Sequence, residues 1–162
     1  VNKGADFVAE CGLGDELNHV PVDPATLQAR AHPNLFVLGD AAAVPTAKAG
    51  SAAHYEVDVF AENFLDHVAG RPMTRAYDGH VNCFVATGHD RAVLLDYDYV
   101  RPPLPGRYPL PGVGPFALLE ETAMNHAGKT MFKWTYWHVL LRGRELPVPT
   151  DARPSAIAEV SS

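Results

Sequence analysis

A single cysteine stands inside the stretch 77–85, YDGHVNCFV, which has the alternating, β-branched character of a strand. A cysteine in such a position is most often a small buried hydrophobe. Redox chemistry would require its thiolate, stabilised by a cation, a helix N-terminus or an electron-poor cofactor. His80 and Lys129 are candidates for that cation. Cys83 is therefore either an inert core residue or a redox-active group.

Metal binding fits this stretch less well. His80 and Cys83 are three positions apart, so on a strand they face opposite sides, and no second pair with zinc spacing follows. We therefore predict no metal site. The other cysteine, Cys11, lies in no recognisable pattern and receives no role, and two cysteines do not make a disulfide scaffold.

A second candidate site lies at Gly39-Asp40. The apolar run 35–38 predicts a strand buried on both faces that ends there, and Gly50-Ser51 predicts a helix start with Ser51 as its N-cap. A carboxylate at a strand end accepts hydrogen bonds from a polyol or ribose, and a helix N-terminus offers N–H groups to a phosphate or a flavin carbonyl. The simpler alternative is a turn followed by a capped helix.

Several function classes are disfavoured. The Gly12-x-Gly14 pair has Leu17 where a dinucleotide loop needs its third glycine, and Ser51 lacks the flanking glycines of a hydrolase nucleophile. A net charge of −6 argues against nucleic acid as a partner. No apolar run is long enough to cross a bilayer, and no signal-peptide pattern opens the chain.

The elements around these residues follow from periodicity. Residues 51–68 predict an amphipathic helix that presents Ala53, Val57, Phe60, Phe64 and Val68 on its apolar face. Residues 80–87 and 91–100 predict a β-hairpin, and the prolines of 101–115 predict an extended connection. A helix is predicted from Phe116 to about His126, interrupted at Gly128, and 129–141 predicts a second helix that is apolar nearly all round.

These motifs together resemble the C-terminal part of sulfide:quinone oxidoreductases, in the FAD-dependent pyridine nucleotide–disulfide oxidoreductase superfamily. The resemblance is carried by NLFVLGDAAAVPTAKAGSAAHYE (34–56), DGHVNCFVATG (78–88), PLPGVGPFALLEE (109–121) and NHAGKTMFKWTYWHVLL (125–141). The Gly-Asp strand end is generic to the superfamily. The Gly-His-x-x-Cys-Phe stretch and the aromatic helix are much more specific.

The resemblance implies a role for particular residues. Cys83 would be a redox-active cysteine that carries sulfur from sulfide or polysulfide, and Phe84 and Phe132 would flank a membrane quinone. FAD would contact Gly39, Asp40, Lys48 and Gly50 around the Gly-Asp strand end, and Lys129 on the aromatic helix. The helix 129–141 would make peripheral contact with the membrane, as its closing arginines suggest for an interfacial helix.

The chain departs from the family in lacking the glycine-rich FAD loop and the other active-site cysteines. Because it also begins at Val1, we expect a piece of a longer protein, which alone would hold FAD weakly and would not turn over. Two alternatives stay open. One is a related flavoenzyme, either a type II NADH dehydrogenase, which Cys83 disfavours, or a flavocytochrome sulfide dehydrogenase flavin subunit, which the aromatic helix disfavours. The other is a non-catalytic dimerisation or membrane-docking module.

The expected fold is mixed α/β. Residues 1–72 would be the C-terminal part of an FAD-binding, Rossmann-like sheet domain with one long helix. Residues 73–147 would form a quinone- and membrane-interaction region built from the hairpin, the Pro-rich connection and amphipathic helices, and 148–162 a disordered tail. Exposed sheet edges predict a homo-oligomer.

Overall fold

The computed structural model of the protein describes residues 3–109 and 112–144. They fall into two compact units, one that ends at Val81 and one that begins at Asn82. Helices and a four-stranded sheet both form, so the predicted mixed α/β class is confirmed. The predicted tail, 148–162, lies outside the described residues.

The first unit is built from helices and extended segments. It contains a short helix α1 (Asp6–Glu10), a 3-10 turn (Gly39–Ala41) and a long helix α2 (Gly50–Val68). Extended segments meet in isolated bridges, which pair Val20 with Ala42, Val22 with Ala29 and Gln28 with Phe36. Its core cluster consists of Val8, Val20 and Ala29, against which Leu13, Leu35 and Val37 pack.

The segment 35–38 is extended but does not form the regular strand that the sequence predicts. Phe36 makes one antiparallel bridge with Gln28, and the Val37 amide donates to the carbonyl of Leu27 at 3.0 Å. Leu27 has a φ of 64°, outside the β region, so the ladder cannot continue past it. The segment is also half-buried rather than covered on both faces.

The long helix α2 covers the predicted residues 51–68, but it buries a different face. The predicted apolar face leaves Val57, Phe64 and Val68 exposed by 47%, 41% and 69%. The buried residues are Ala52, Glu56, Val59 and Asn63. Asn63 is accommodated because its amide group both donates to and accepts from the backbone of Arg75, at 2.8 and 3.0 Å.

The start of α2 also differs from the prediction. Ala49 is the N-cap residue, and no side chain caps the helix, so Ser51 lies inside the first turn instead of at the cap. The first turn holds no acidic residue either. Neither the N-cap side chain nor an acidic residue of the first turn therefore balances the positive end of the α2 dipole.

The second unit contains the predicted β-hairpin, formed by β1 (Val81–Gly88) and β2 (Arg91–Tyr97). His89 and Asp90 make its two-residue turn with φ values of 47° and 55°, the positive values that tight hairpin turns require. Two short strands, β3 (Gly106–Tyr108) and β4 (Phe116–Leu118), complete a sheet in the order β1-β2-β4-β3. β4 runs parallel to β2 and antiparallel to β3.

The prediction that a helix begins at Phe116 is wrong, because Phe116–Leu118 form strand β4. Ala117 pairs with Arg107, and Leu119, with a φ of 60°, ends the strand. The helix α3 (Ala123–His138) starts only after Thr122, whose side chain accepts from the Asn125 amide at 3.0 Å as an N-cap.

The buried Asn125 links α3 to the sheet. Its side chain accepts from the Ala117 amide at 3.1 Å and donates to the carbonyls of Ala117 at 2.8 Å and Glu120 at 2.9 Å. The predicted interruption at Gly128 is wrong, because α3 runs through this residue. Gly128 is buried where the helix contacts the sheet. The helix packs on β2 and β4 and is followed by a 3-10 turn, Leu140–Arg142.

Candidate functional site

Gly39 and Asp40 form the turn that the sequence singles out. Gly39 has a φ of 63°, a left-handed conformation that favours glycine. A Cβ built on Gly39 would lie 3.5 Å from the Cβ of Ala53, so the turn rests against the first turns of α2. The Asp40 carboxylate, by contrast, is exposed, where it can accept hydrogen bonds from a ligand.

Glu56, which sequence reasoning missed, holds this turn in place. The Gly39 amide donates to its Oε2 at 2.5 Å, and the side chain of Glu56 is 1% exposed. Burial raises the pKa of the Glu56 carboxyl, while the Gly39 amide and the Lys48 charge oppose that rise. Helical periodicity does not single out Glu56, because its burial depends on the Gly39 amide, which lies 17 residues away in sequence.

Lys48 lies close to the same turn. Its half-buried ammonium group donates to the carbonyl of Ala42. Burial lowers the pKa of Lys48, and the charges of Glu56, Asp40 and Asp15 oppose that decrease. Gly50, the first residue of α2, is exposed, and a Cβ at that position would meet no atom within 4 Å. The structure thus brings Gly39, Asp40, Lys48 and the open start of α2 together.

An open groove of about 550 Å³ adjoins Lys48. Its wall contains Asp15, Leu17, His19, Ala43, Val44, Pro45, Thr46 and Lys48. Asp15 accepts from the amides of Leu17 and His19, both at 2.9 Å, and the His19 amide is the main cause that lowers the pKa of Asp15. The wall of the groove combines a carboxylate, an ammonium group, an imidazole and apolar side chains.

Cys83 lies in β1 of the second unit as a half-buried free thiol. Its neighbour Phe84 packs edge-to-face on Phe116, with ring centroids 5.4 Å apart at an angle of 78°, and approaches Gly128 of α3. Because successive strand residues point to opposite faces, Cys83 is directed away from α3 and from Lys129 on that helix. His80, the other proposed cation, belongs to the first unit, where its ring stacks on Tyr55 at 4.7 Å.

The remaining aromatic site residue, Phe132, lies on α3 one turn beyond Gly128 and is 42% exposed. The structure therefore places Phe84 and Phe132 along the same part of α3. Lys129 is exposed on that helix. Most large side chains of α3 and of the turn that follows it are also exposed, namely Met124, Met131, Phe132, Trp134, Tyr136, Trp137 and Leu141.

The described part of the chain contains neither a membrane-spanning helix nor a metal-binding cluster. No helix within residues 3–109 and 112–144 has the length and apolar character needed to cross a bilayer. In the same part of the chain, no three His, Cys, Asp or Glu side chains cluster in a way that could hold a metal ion.

The chain is similar to three curated proteins whose name is mitochondrial sulfide:quinone oxidoreductase. It is 29% identical over 145 residues to that of Schizosaccharomyces pombe, 28% over 139 residues to that of Mus musculus, and 28% over 143 residues to that of Dictyostelium discoideum. These alignments cover 86%, 85% and 88% of this chain. The chain spans about 30% of the length of the relatives it matches.

A chain in the cryo-EM structure of the Tetrahymena thermophila mitochondrial ATP synthase F1Fo tetramer is also similar. It has a TM-score of 0.58 and 27% sequence identity, over 83% of this chain and 29% of that chain. No protein-family model matches the sequence. The alignments with the three enzymes cover most of this chain, and the predicted resemblance to the sulfide:quinone oxidoreductase family is therefore confirmed.

Proposed function

We propose that this chain is the C-terminal portion of a flavoprotein that oxidises sulfide and reduces a membrane quinone. The observation that carries the proposal is the similarity to three sulfide:quinone oxidoreductases over at least 85% of this chain, a span that includes the Cys83 stretch and α3. Since the chain spans about 30% of those enzymes, the proposal concerns the intact gene product that contains this sequence.

The residues of the first unit fit one part of a bound FAD. The exposed Asp40 carboxylate is suited to ribityl or ribose hydroxyl groups. The start of α2, with an exposed glycine as its first residue, lets electronegative oxygens approach the positive end of the helix dipole. Lys48 adds a positive charge beside it. We assign Gly39, Asp40, Lys48 and Gly50 to the cofactor, and Lys129 to the same role on α3.

Cys83 would carry the sulfur chemistry. Its thiolate and a hydrosulfide ion form a persulfide with release of one proton and two electrons, and a quinone that takes up two electrons and two protons becomes the quinol. Bound FAD supplies the two-electron relay between these half-reactions. The side chains of Phe84 and Phe132 would hold the quinone ring, because a flat apolar ring stacks well on phenylalanine.

The exposed side chains of α3 support a peripheral membrane contact through 129–141. Trp134, Tyr136 and Trp137 are of the types that prefer the membrane interface, and Lys129 and Lys133 are cations that favour anionic headgroups. Such a helix lies in the interface rather than across the bilayer. We also propose that copies of this chain associate through the exposed edges of the sheet, where backbone groups can pair with another strand.

An absorbance spectrum of the purified intact gene product tests the proposal. We expect a flavin spectrum that bleaches when sulfide is added anaerobically and returns when a short-chain ubiquinone follows. A flavin that ignores sulfide but is reduced by NADH would favour a type II NADH dehydrogenase. A flavin that sulfide reduces but only cytochrome c reoxidises would favour the flavocytochrome subunit, and the absence of flavin would favour a docking module.

A further inference from the structure

We propose that Gly128 of α3 is a positioning residue of the electron-acceptor site, because its missing side chain fixes where the Phe84 ring lies. The inference rests on the proposed function, in which Phe84 and Phe132 hold the quinone. It adds a residue that sets the shape of the acceptor site through the position of the Phe84 ring.

The geometry at Gly128 is tight on two sides. A Cβ built on Gly128 would overlap Cε1 of Phe116 and would lie 2.9 Å from its Cζ and 3.0 Å from Cζ of Phe84. Carbon atoms that are not bonded prefer about 3.5–4.0 Å. Both rings therefore lie against the bare backbone of the helix. A Cβ at 128 would force the Phe116 ring to move and the Phe84 ring to give way by a few tenths of an ångström.

Phe84 has little freedom to adapt to such a change. Its ring meets Phe116 edge-to-face, and Phe116 belongs to β4, whose backbone Asn125 binds from α3. The ring is thus held between a strand and a helix that hydrogen bonds join to each other. Displacing it would alter the distance to Phe132, which is exposed one turn further along α3.

The helix itself does not need a glycine at this position. Glycine has a lower helix propensity than alanine, and α3 nevertheless continues for ten residues beyond Gly128 to His138. Its backbone φ is not in the left-handed region that would require glycine. Close contact with the two rings is the remaining physical reason for glycine, which links residue 128 to the acceptor site.

The test compares Gly128→Ala with the unchanged flavin-loaded protein, using decylubiquinone as the acceptor. Three quantities are measured: the rate of flavin reduction by sulfide before any quinone is added, the KM for decylubiquinone, and its Kd from quenching of tryptophan fluorescence. Both tryptophans of the chain, Trp134 and Trp137, lie on α3, so within this sequence the fluorescence reports on that helix.

We expect the KM and the Kd for decylubiquinone to rise roughly 3- to 10-fold, the size of one aromatic contact, while flavin reduction by sulfide keeps its rate. Thr130→Ala, an exposed change on the same helix, is the control and should alter neither constant. A purely structural role of Gly128 would lower the melting temperature without separating the two half-reactions. Equal Kd values for Gly128→Ala and the unchanged protein would overturn the inference.

A second variant covers the case in which Gly128→Ala does not fold. Phe116→Leu removes the ring that holds Phe84 from the other side, and it should raise the Kd for decylubiquinone by a similar factor; an unchanged Kd would contradict the inference. If the unchanged protein binds decylubiquinone but sulfide does not reduce its flavin, the proposed function fails, and the Kd comparison alone then decides about Gly128.

Discussion

The backbone amide of Gly39 donates a hydrogen bond to Oε2 of Glu56 and so ties the turn that carries Asp40 to the middle of α2. Glu56 is buried, and its burial raises its pKa above the ordinary value of 4.5. A group of this kind costs no stability below its unfolded pKa, where it is protonated in both states. The folded state loses stability as the pH rises from the unfolded-state pKa through the folded-state pKa, because the folded state must then bury a charge.

Replacing Glu56 with glutamine should therefore change how stability depends on pH. Gln keeps a carbonyl oxygen for the Gly39 amide but cannot ionise. From about pH 4.5 upward, we expect the unchanged protein to lose stability that Glu56→Gln keeps. The difference in the free energy of unfolding should reach about 1.4 kcal/mol for each unit by which the Glu56 pKa is raised. Urea unfolding between pH 4 and 8 measures it. Glu62→Gln, on the exposed face of α2, should show no such trend, and an identical trend in both variants would contradict the prediction.

Replacing Lys48 with methionine should weaken cofactor retention. Methionine keeps the apolar stem but removes the ammonium group that lies near Asp40 and the start of α2. One hydrogen bond to a charged group corresponds to about 1.5–3 kcal/mol, so the Kd for FAD should rise roughly 10- to 100-fold. The ratio of flavin to protein absorbance after gel filtration measures retention. Lys3→Met removes an exposed ion-paired lysine and serves as the control; equal flavin content in both variants would count against a role for Lys48.

Replacing Cys83 with serine should abolish sulfide-dependent quinone reduction. A hydroxyl group cannot form the persulfide, so we expect a loss on the order of 1,000-fold or more in kcat. Flavin content should stay unchanged, because Cys83 is not among the residues assigned to FAD. Cys11→Ser removes the exposed thiol at the end of α1 and should keep full activity. Substantial turnover by Cys83→Ser would remove the central residue of the proposed mechanism.

Replacing Asn125 with alanine should destabilise the second unit. The change removes three side-chain hydrogen bonds to Ala117 and Glu120 and leaves buried backbone groups unpaired. We expect a loss of about 2–4 kcal/mol in the free energy of unfolding, measured by denaturant titration. Thr130→Ala, which loses one exposed bond to a helix carbonyl, should cost much less. Comparable losses in the two variants would show that Asn125 does not link α3 to the sheet as described.

Replacing Trp137 with alanine should weaken attachment to membranes. Trp137 is exposed on α3, and burying a large apolar side chain contributes about 1.5–3 kcal/mol, so partitioning onto vesicles of neutral and anionic phospholipid should fall at least about 10-fold. Sedimentation with such vesicles measures it. Phe7→Ala, an exposed aromatic change on α1, should leave partitioning unchanged. Equal partitioning of both variants would argue against α3 as the contact.

Local signals predicted some elements well. The α2 boundaries follow from its periodicity and from Gly70, and the hairpin follows from Gly88-His89-Asp90, a turn that needs positive φ values. The buried face of α2 could not be predicted, since it carries Glu56 and Asn63. Their burial depends on partners, Gly39 and Arg75, that lie 17 and 12 residues away in sequence.

The β4 strand and the role of Gly128 were missed for a related reason. Phe116–Leu118 has only three residues, too few for a period, and it forms a strand because β2 and β3 pair with it on either side. Glycine usually disfavours a helix, so the sequence predicts a break at Gly128. Only the close approach of the Phe116 and Phe84 rings explains a glycine inside α3. The Gly-Asp turn was recognisable in sequence and Lys48 was implied by the resemblance, whereas Glu56, Asp15 and His19 join them only through the fold.

The opposite orientations of Cys83 and Phe84 make one strand a partition. In the proposed function, a hydrosulfide ion that reaches Cys83 and a quinone ring that reaches Phe84 would approach β1 from its two opposite faces. The two reactants would be insulated from direct encounter, so only electrons need to travel between them. Two residues adjacent in sequence would then serve the two half-reactions of the proposed enzyme separately.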